Sequence, residues 1–258
     1  SYLHNQSNAP FHKSKYYDNN GGMIEKYENV KDLGVSMSAD GTFSYQINSV
    51  VSKAKHMCSW ILRTFSTRDC IPMITLYKSL VIPHLDYCSQ LWNPRLAKEI
   101  NALEVVQRTF IKKIKGMHNL TYWDQLKHLH LYSLQRRRER YCVIYLWKIL
   151  EEKVPQFGDL ESLIHPRHGR IFRIPTVKNS ATARVKTIRN SSFAIHAPRL
   201  FNTLPLSIRS MKGCTIETFK NNLDIYLKSV PDEPQIQGYT AIRRAETNSL
   251  LHMTPLIC

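Results

Sequence analysis

The residues able to do phosphoryl or hydrolytic chemistry in this chain are its nine aspartates, eleven histidines and six cysteines, and their spacing speaks against it. Two-metal phosphoryl transfer needs carboxylates that converge on Mg²⁺. Polymerases supply them as adjacent or near-adjacent aspartates on a tight turn, and no two aspartates are adjacent here. Tyr16-Tyr17-Asp18-Asn19-Asn20 comes nearest, with Asn where the second carboxylate would stand. His128-Leu129-His130 and the pair His165 and His168 have no Cys or carboxylate at ligand spacing, so a zinc site is not expected. The cysteines form no CxxC and read as reduced, mostly buried thiols of an intracellular protein. A Cys–His nucleophile assembled in space stays open, with nothing in the sequence favouring it. The nine glycines include no phosphate-cradling loop. The expectation is therefore no catalytic residue, no metal and no cofactor in this chain.

Charge gives a sharper signal. Lys and Arg number 36 against 20 Asp and Glu, a net charge of +16, with an isoelectric point near 9.7. Between Glu161 and Glu217 there is no acidic residue, while ten basic ones occur. Among them are Arg167, Arg170, Arg173, Arg184, Lys186 and Arg189. Upstream, Arg108, Lys112, Lys113 and Lys115 fall on one side of a helical stretch. Arg136, Arg137, Arg138 and Arg140 open another, so that the two sets facing across a bundle would form a phosphate-tracking groove. Such clustering is suited to nucleic acid, whose binding releases condensed counterions and therefore weakens as salt is added. Trp92, Tyr122 and Trp123 are candidates for stacking on bases; the competing readings are a solvated helix face and aromatic core anchors.

The elements that must carry these residues are mainly helical. Residues 23–37 read as a small β-hairpin broken at Gly34, after a polar leader. Ile47, Val50, Val51, Ala54, Cys58 and Ile61 recur at helical spacing, and 71–81 and 100–114 follow suit, with Pro83 expected to bend or end the second and Gly116 to stop the third. Thr121 marks a helix start. Residues 133–153 form a long helix that turns almost wholly apolar. The domain expectation is a leader and hairpin over 1–43, a helical bundle over 44–155, a basic linker or irregular strands over 156–192, a smaller helical unit over 193–230 and a disordered tail over 231–258, so the C-terminal part as a whole is a smaller, irregular α+β unit. No stretch is apolar enough for a membrane span.

Several runs then line up in order: Val30-Lys31-Asp32-Leu33-Gly34-Val35, Leu76-Tyr77-Lys78-Ser79-Leu80-Val81-Ile82-Pro83-His84-Leu85-Asp86-Tyr87, Trp92-Asn93-Pro94, Leu103-Glu104-Val105-Val106-Gln107-Arg108, Leu131-Tyr132-Ser133-Leu134-Gln135-Arg136, and Phe201-Asn202-Thr203-Leu204-Pro205. This order resembles the region after the polymerase palm in LINE-type, jockey-like non-LTR retrotransposons, over roughly residues 28–234. The resemblance implies the thumb and C-terminal part of a reverse transcriptase, an RNA-directed DNA polymerase. It implies that Leu33 and Gly34 sit in the hairpin that grips the primer, and that helices between 45 and 153 hold the duplex by its backbone. It also implies that the paired catalytic aspartates, and the Mg²⁺ they bind, belong to a palm upstream of Ser1. The expected partners are RNA or RNA–DNA duplex with little sequence preference, and the palm and fingers of the parent polyprotein, in nucleus or cytoplasm and with no membrane. The alternatives are a decayed element product without selected activity and a helical protein-interaction module.

Overall fold

The computed structural model describes residues 16–17, 23–24, 27–94, 96–154, 164–165, 170–174, 182–233 and 248–251. Strands β1 (Tyr16–Tyr17) and β2 (Met23–Ile24) form one antiparallel pair. Strands β3 (Asn29–Asp32) and β4 (Val35–Ser38) form the expected hairpin, with Asp32 opposite Val35. Its two-residue turn places Leu33 at φ 44° and Gly34 at φ 83°. Two central residues in the left-handed region are what a short hairpin needs to match strand twist. Gly34 takes that conformation without cost; Leu33 does not. The Tyr87 hydroxyl donates to the Leu33 carbonyl at 2.6 Å and ties the strained tip to the bundle.

Helix α1 (Ser44–Thr64) buries Ile47, Val50, Val51, Ala54, Cys58 and Ile61, the stripe its periodicity predicts. Helix α2 (Cys70–Leu76) runs through one π turn (Tyr77–Val81) into α3 (Ile82–Asp86). The helical path therefore continues past Pro83 rather than ending there. A π turn gives the proline ring room that regular α geometry denies it, and Pro83 falls in the first turn of α3, where its missing N–H is not needed. Helix α4 (Ala97–Ile111) ends before Gly116, which sits at φ 83° after two further turns.

Two hydrogen bonds fix how α1 and α4 pack. Ser44 Oγ donates to Glu99 Oε1 at 2.5 Å, joining their N-terminal ends. The Lys115 amide donates to the Arg68 carbonyl at 2.8 Å, joining the segments just past their C-terminal ends. The two helices are therefore parallel neighbours, and the α2–α3 run is the return path between them.

Helix α5 (Tyr122–His128) starts at Thr121, whose side chain accepts from the Asp124 amide, as expected of a cap. Helix α6 (Leu134–Leu150) is capped by Ser133 and belongs to two cores. Leu134 lies in the first core with Tyr77, Leu103 and Phe110. Cys142, Val143, Leu146 and Trp147 lie in the second, with Phe172, Leu200, Phe201, Phe219 and Leu223. Trp147 stacks on Phe219 at 4.4 Å.

Besides α6, the second core draws on β6 (Ile171–Phe172), α8 (Phe193–Thr203), α9 (Leu206–Arg209) and α10 (Ile216–Ser229); β5 (Ile164–His165) pairs with β6, and α7 (Ala183–Ser191) precedes α8. The mainly helical class and the leading hairpin hold. Three of the domain expectations differ from what is found. The boundary at 155 does not separate two bodies, because α6 supplies side chains to both cores. Within 156–192, residues 183–191 are a helix, started by the Thr182 side chain accepting from the Val185 amide. The tail is not uniformly loose: Asn248, Ser249 and Leu250 are buried against α6. The other expectations for the leader, 156–163, 166–169, 175–181, 234–247 and 252–258 fall largely outside the described residues.

Candidate nucleic-acid interface

The arginine-rich start of α6 is folded inward. Arg136 has no exposed surface and Arg138 has 3%. The Arg136 guanidinium donates to the carbonyls of Val230 (3.3 Å), Pro231 (2.8 Å) and Asn248 (3.2 Å). Its Nε lies 3.8 Å from Asp232. Asp232 in turn accepts from the Ser133 amide and hydroxyl and from Asn248 Nδ2. Arg137 donates to Asp86 at 2.8 Å, and Arg140 donates to both oxygens of Asp224, at 2.5 and 2.6 Å. Arg138 Nε and one of its terminal nitrogens have no hydrogen-bond partner among the described residues. Burial holds its guanidinium below the usual range, with the carboxylates of Glu104 and Glu139 pulling the other way. Both of those carboxyls are themselves pushed up by burial. Glu139 accepts from the Ser249 hydroxyl and the Leu250 amide and so anchors 248–251.

These positions correct the expectation of a groove between 136–140 and Lys112–Lys115. Two of the four guanidinium groups cannot reach a phosphate in the folded chain, and the other two already face carboxylates. Acids that are distant in sequence (Asp86, Asp224 and Asp232) are what draw them inward. The signal is hard to find in one dimension, because even the nearest of these pairs, Arg137 with Asp86, is 51 residues apart.

The remaining predicted cations divide by place. Lys112, Lys113 and Lys115 are exposed in the turns after α4. Arg108 is half-buried over the Tyr122 ring, 4.8 Å from its centroid. Arg170 donates to the Met211 carbonyl and pairs with Glu151. Arg173 and Arg189 are exposed, and Lys186 is half-buried. Arg167 and the side chain of Arg184 lie outside the described residues. The structure thus brings Lys112, Lys113 and Lys115 together at one end of the first bundle. It puts Arg189 on α7, whose Ile188 packs beside Gly41 just ahead of α1. These places lie near opposite ends of α1, a helix about 31 Å long at 1.5 Å per residue over 21 residues.

What joins them escaped the sequence reading. On α1, opposite its core stripe, lie Tyr45, Lys53, His56, Trp60 and Arg63, all exposed. Tyr45 is 58% and Trp60 41% exposed. No acidic residue occurs anywhere from 41 to 68, a second acid-free run that the rule used for 162–216 would have found. At its far end Arg68 donates to the carbonyls of Leu62, Phe65 and Thr67, capping the negative end of α1.

The aromatic candidates fare differently. Trp92 is fully buried and donates to the Tyr87 carbonyl at 2.7 Å, so it is a core anchor. The Tyr122 hydroxyl donates to Glu104 and accepts from Gln107. Trp123 leans on Tyr122 at 5.0 Å and borders a groove of about 1040 Å³ between α5 and α10. That groove is mixed in charge: Lys127 pairs with Glu233 at 3.3 Å, and Asp224 faces it. Leu33 stands 84% exposed at the hairpin tip, with Gly34 beside the Tyr87 ring. Among the described residues no group of three His, Cys, Asp or Glu is placed to hold a metal ion, and no helix is long and apolar enough to cross a membrane. Compared with protein-family models, curated proteins and solved structures, the chain matches none.

Proposed function

We propose that this chain binds the sugar–phosphate backbone of nucleic acid through the outward face of α1 and the cationic turns after α4. The observation that carries the reading is the composition of that surface: Lys53 and Arg63 are exposed on a helix within an acid-free run, 41–68, and Lys112, Lys113 and Lys115 are exposed in the turns beside its C-terminal end. Exposed cations gathered on one surface are the footprint of backbone tracking. The ordered motifs that resemble the post-palm part of a reverse transcriptase support the same reading and give it a ligand, an RNA or RNA–DNA template–primer. In that setting the chain contributes grip rather than bond making. The arrangement asks nothing of the α6 arginines, which hold the fold instead.

The test is the salt dependence of binding to a labelled RNA–DNA duplex, read by fluorescence anisotropy. Replacing Arg63, Lys112, Lys113 and Lys115 by Gln should flatten the plot of log K against log salt by about 0.9 for each phosphate no longer neutralised. An unchanged slope in a folded variant would remove this surface from the interface.

A further inference from the structure

The stripe on α1 is more than a row of charges, and the inference drawn from it rests on the nucleic-acid reading above. Lys53, His56, Trp60 and Arg63 follow one another at intervals of three, four and three residues, so they stand in line on one face. Trp60 leaves 41% of its surface in solvent although 21 residues of helix offer it a buried side. Its ring meets that of Phe65 nearly at right angles, with centroids 6.0 Å apart and planes at 83°. A perpendicular contact of this kind orients an indole and covers at most one of its two faces. Trp92 and Trp147 are fully buried and each donates its indole N–H to a backbone carbonyl. Of these three tryptophans, Trp60 is the one aimed away from the core.

A phosphate backbone needs cations only; it has no use for an oriented aromatic face. Bases inside a duplex cannot reach one either, since their own faces are stacked. An indole flanked by Lys53 and Arg63 matches unpaired bases whose phosphates are taken by those two cations. We infer that the α1 stripe binds single-stranded nucleic acid by stacking an unpaired base on Trp60, as at the single-stranded overhang of a template–primer.

The full chain would be titrated with three labelled probes at one salt concentration: a short oligothymidylate, an abasic strand of equal length, and a blunt duplex. The abasic strand keeps every phosphate and loses every base. Stacking predicts that oligothymidylate binds roughly tenfold more tightly than the abasic strand. Trp60→Leu should erase that gap and Trp60→Phe should keep most of it, with circular dichroism confirming that both fold. Equal binding of the two strands, or a gap that survives Trp60→Leu, overturns the stacking inference while leaving backbone binding intact. Binding of all three probes no better than a globular protein of equal charge overturns the nucleic-acid reading itself, and the stacking inference with it.

Discussion

Helix α6 and helix α1 both carry runs of positive charge, and the fold treats them in opposite ways. In α6 the cations share their run with one acid, Glu139, and find further acids across the molecule, so they sit in the seam between the two cores. In α1 they stand on a helix with no acid, and they remain in water. Charge density alone does not distinguish the two. What distinguishes them is whether the core stripe leaves the cations on the outer face, and whether carboxylates elsewhere are available to meet them. The dense arginine run is the structural one, and the sparser run is the candidate for binding.

That contrast can be broken most forcefully at Arg136. Its replacement by Ala leaves Asp232 without its cation and three carbonyls without their donor. The expected loss is about 3–5 kcal/mol of unfolding free energy in urea, with nucleic-acid affinity of the folded fraction unchanged. Glu139→Gln should be milder, since the amide still accepts one of the two bonds from Ser249 and Leu250. A loss of about 1–3 kcal/mol is expected, with faster amide hydrogen exchange over 248–251. An unchanged exchange rate would mean that the C-terminal segment is held by something other than α6.

The seam also carries a pH signature. Burial, with Arg199 and Arg138 nearby, lowers the His196 pKa from 6.5 to about 4. Between those values the unfolded chain takes up a proton that the folded chain refuses, so His196 lowers stability as pH falls from 6.5 towards 4. Glu104 and Glu139, pushed up by burial, act in the opposite sense, because the folded chain protonates them first. Comparing the melting temperatures of wild type and His196→Leu across that window isolates the histidine: the variant should lose less stability on acidification. A parallel pair of curves would show that the His196 ring is solvated.

Smaller still is Thr215→Ala, which removes the side chain that accepts from the Thr218 amide at the start of α10, for about 1 kcal/mol. Least of all, Lys112→Gln, Lys113→Gln and Lys115→Gln should each move stability by less than about 0.5 kcal/mol, because they lie on the surface. A larger loss from any of the three would place it with the α6 arginines as a structural group.

Much of this architecture is legible in the sequence where the cause is local. The stripe of Ile47, Val50, Ala54 and Ile61 repeats at the helix period. The caps Thr121 and Ser133 precede their helices by one residue, and Leu33-Gly34 sits in the hairpin turn. What is not legible is non-local. Pro83 reads as a bend or an end of the helix, and the π turn that carries the path through it has no local signal. Asp232 and Asn248 read as tail residues unless their reach to Ser133 and Arg136 is known. The α6 arginines read as a surface because their acids are far away in the chain. The α1 stripe is the reverse case: its signal is local, an acid-free run at 41–68, but it is sparser in charge than the run at 162–216.

Because α6 lends one end to each core, the chain has no natural place to be cut in two. A fragment ending near residue 155 would keep α6 but strip Trp147 of Phe219 and leave Val143 and Leu146 facing water. A fragment beginning there would lose the helix around which Phe201 and Leu223 assemble. Either half should aggregate when expressed alone. Mixed together, the halves should recover only if one of them carries α6 whole and meets the other before its apolar face meets a second copy of itself.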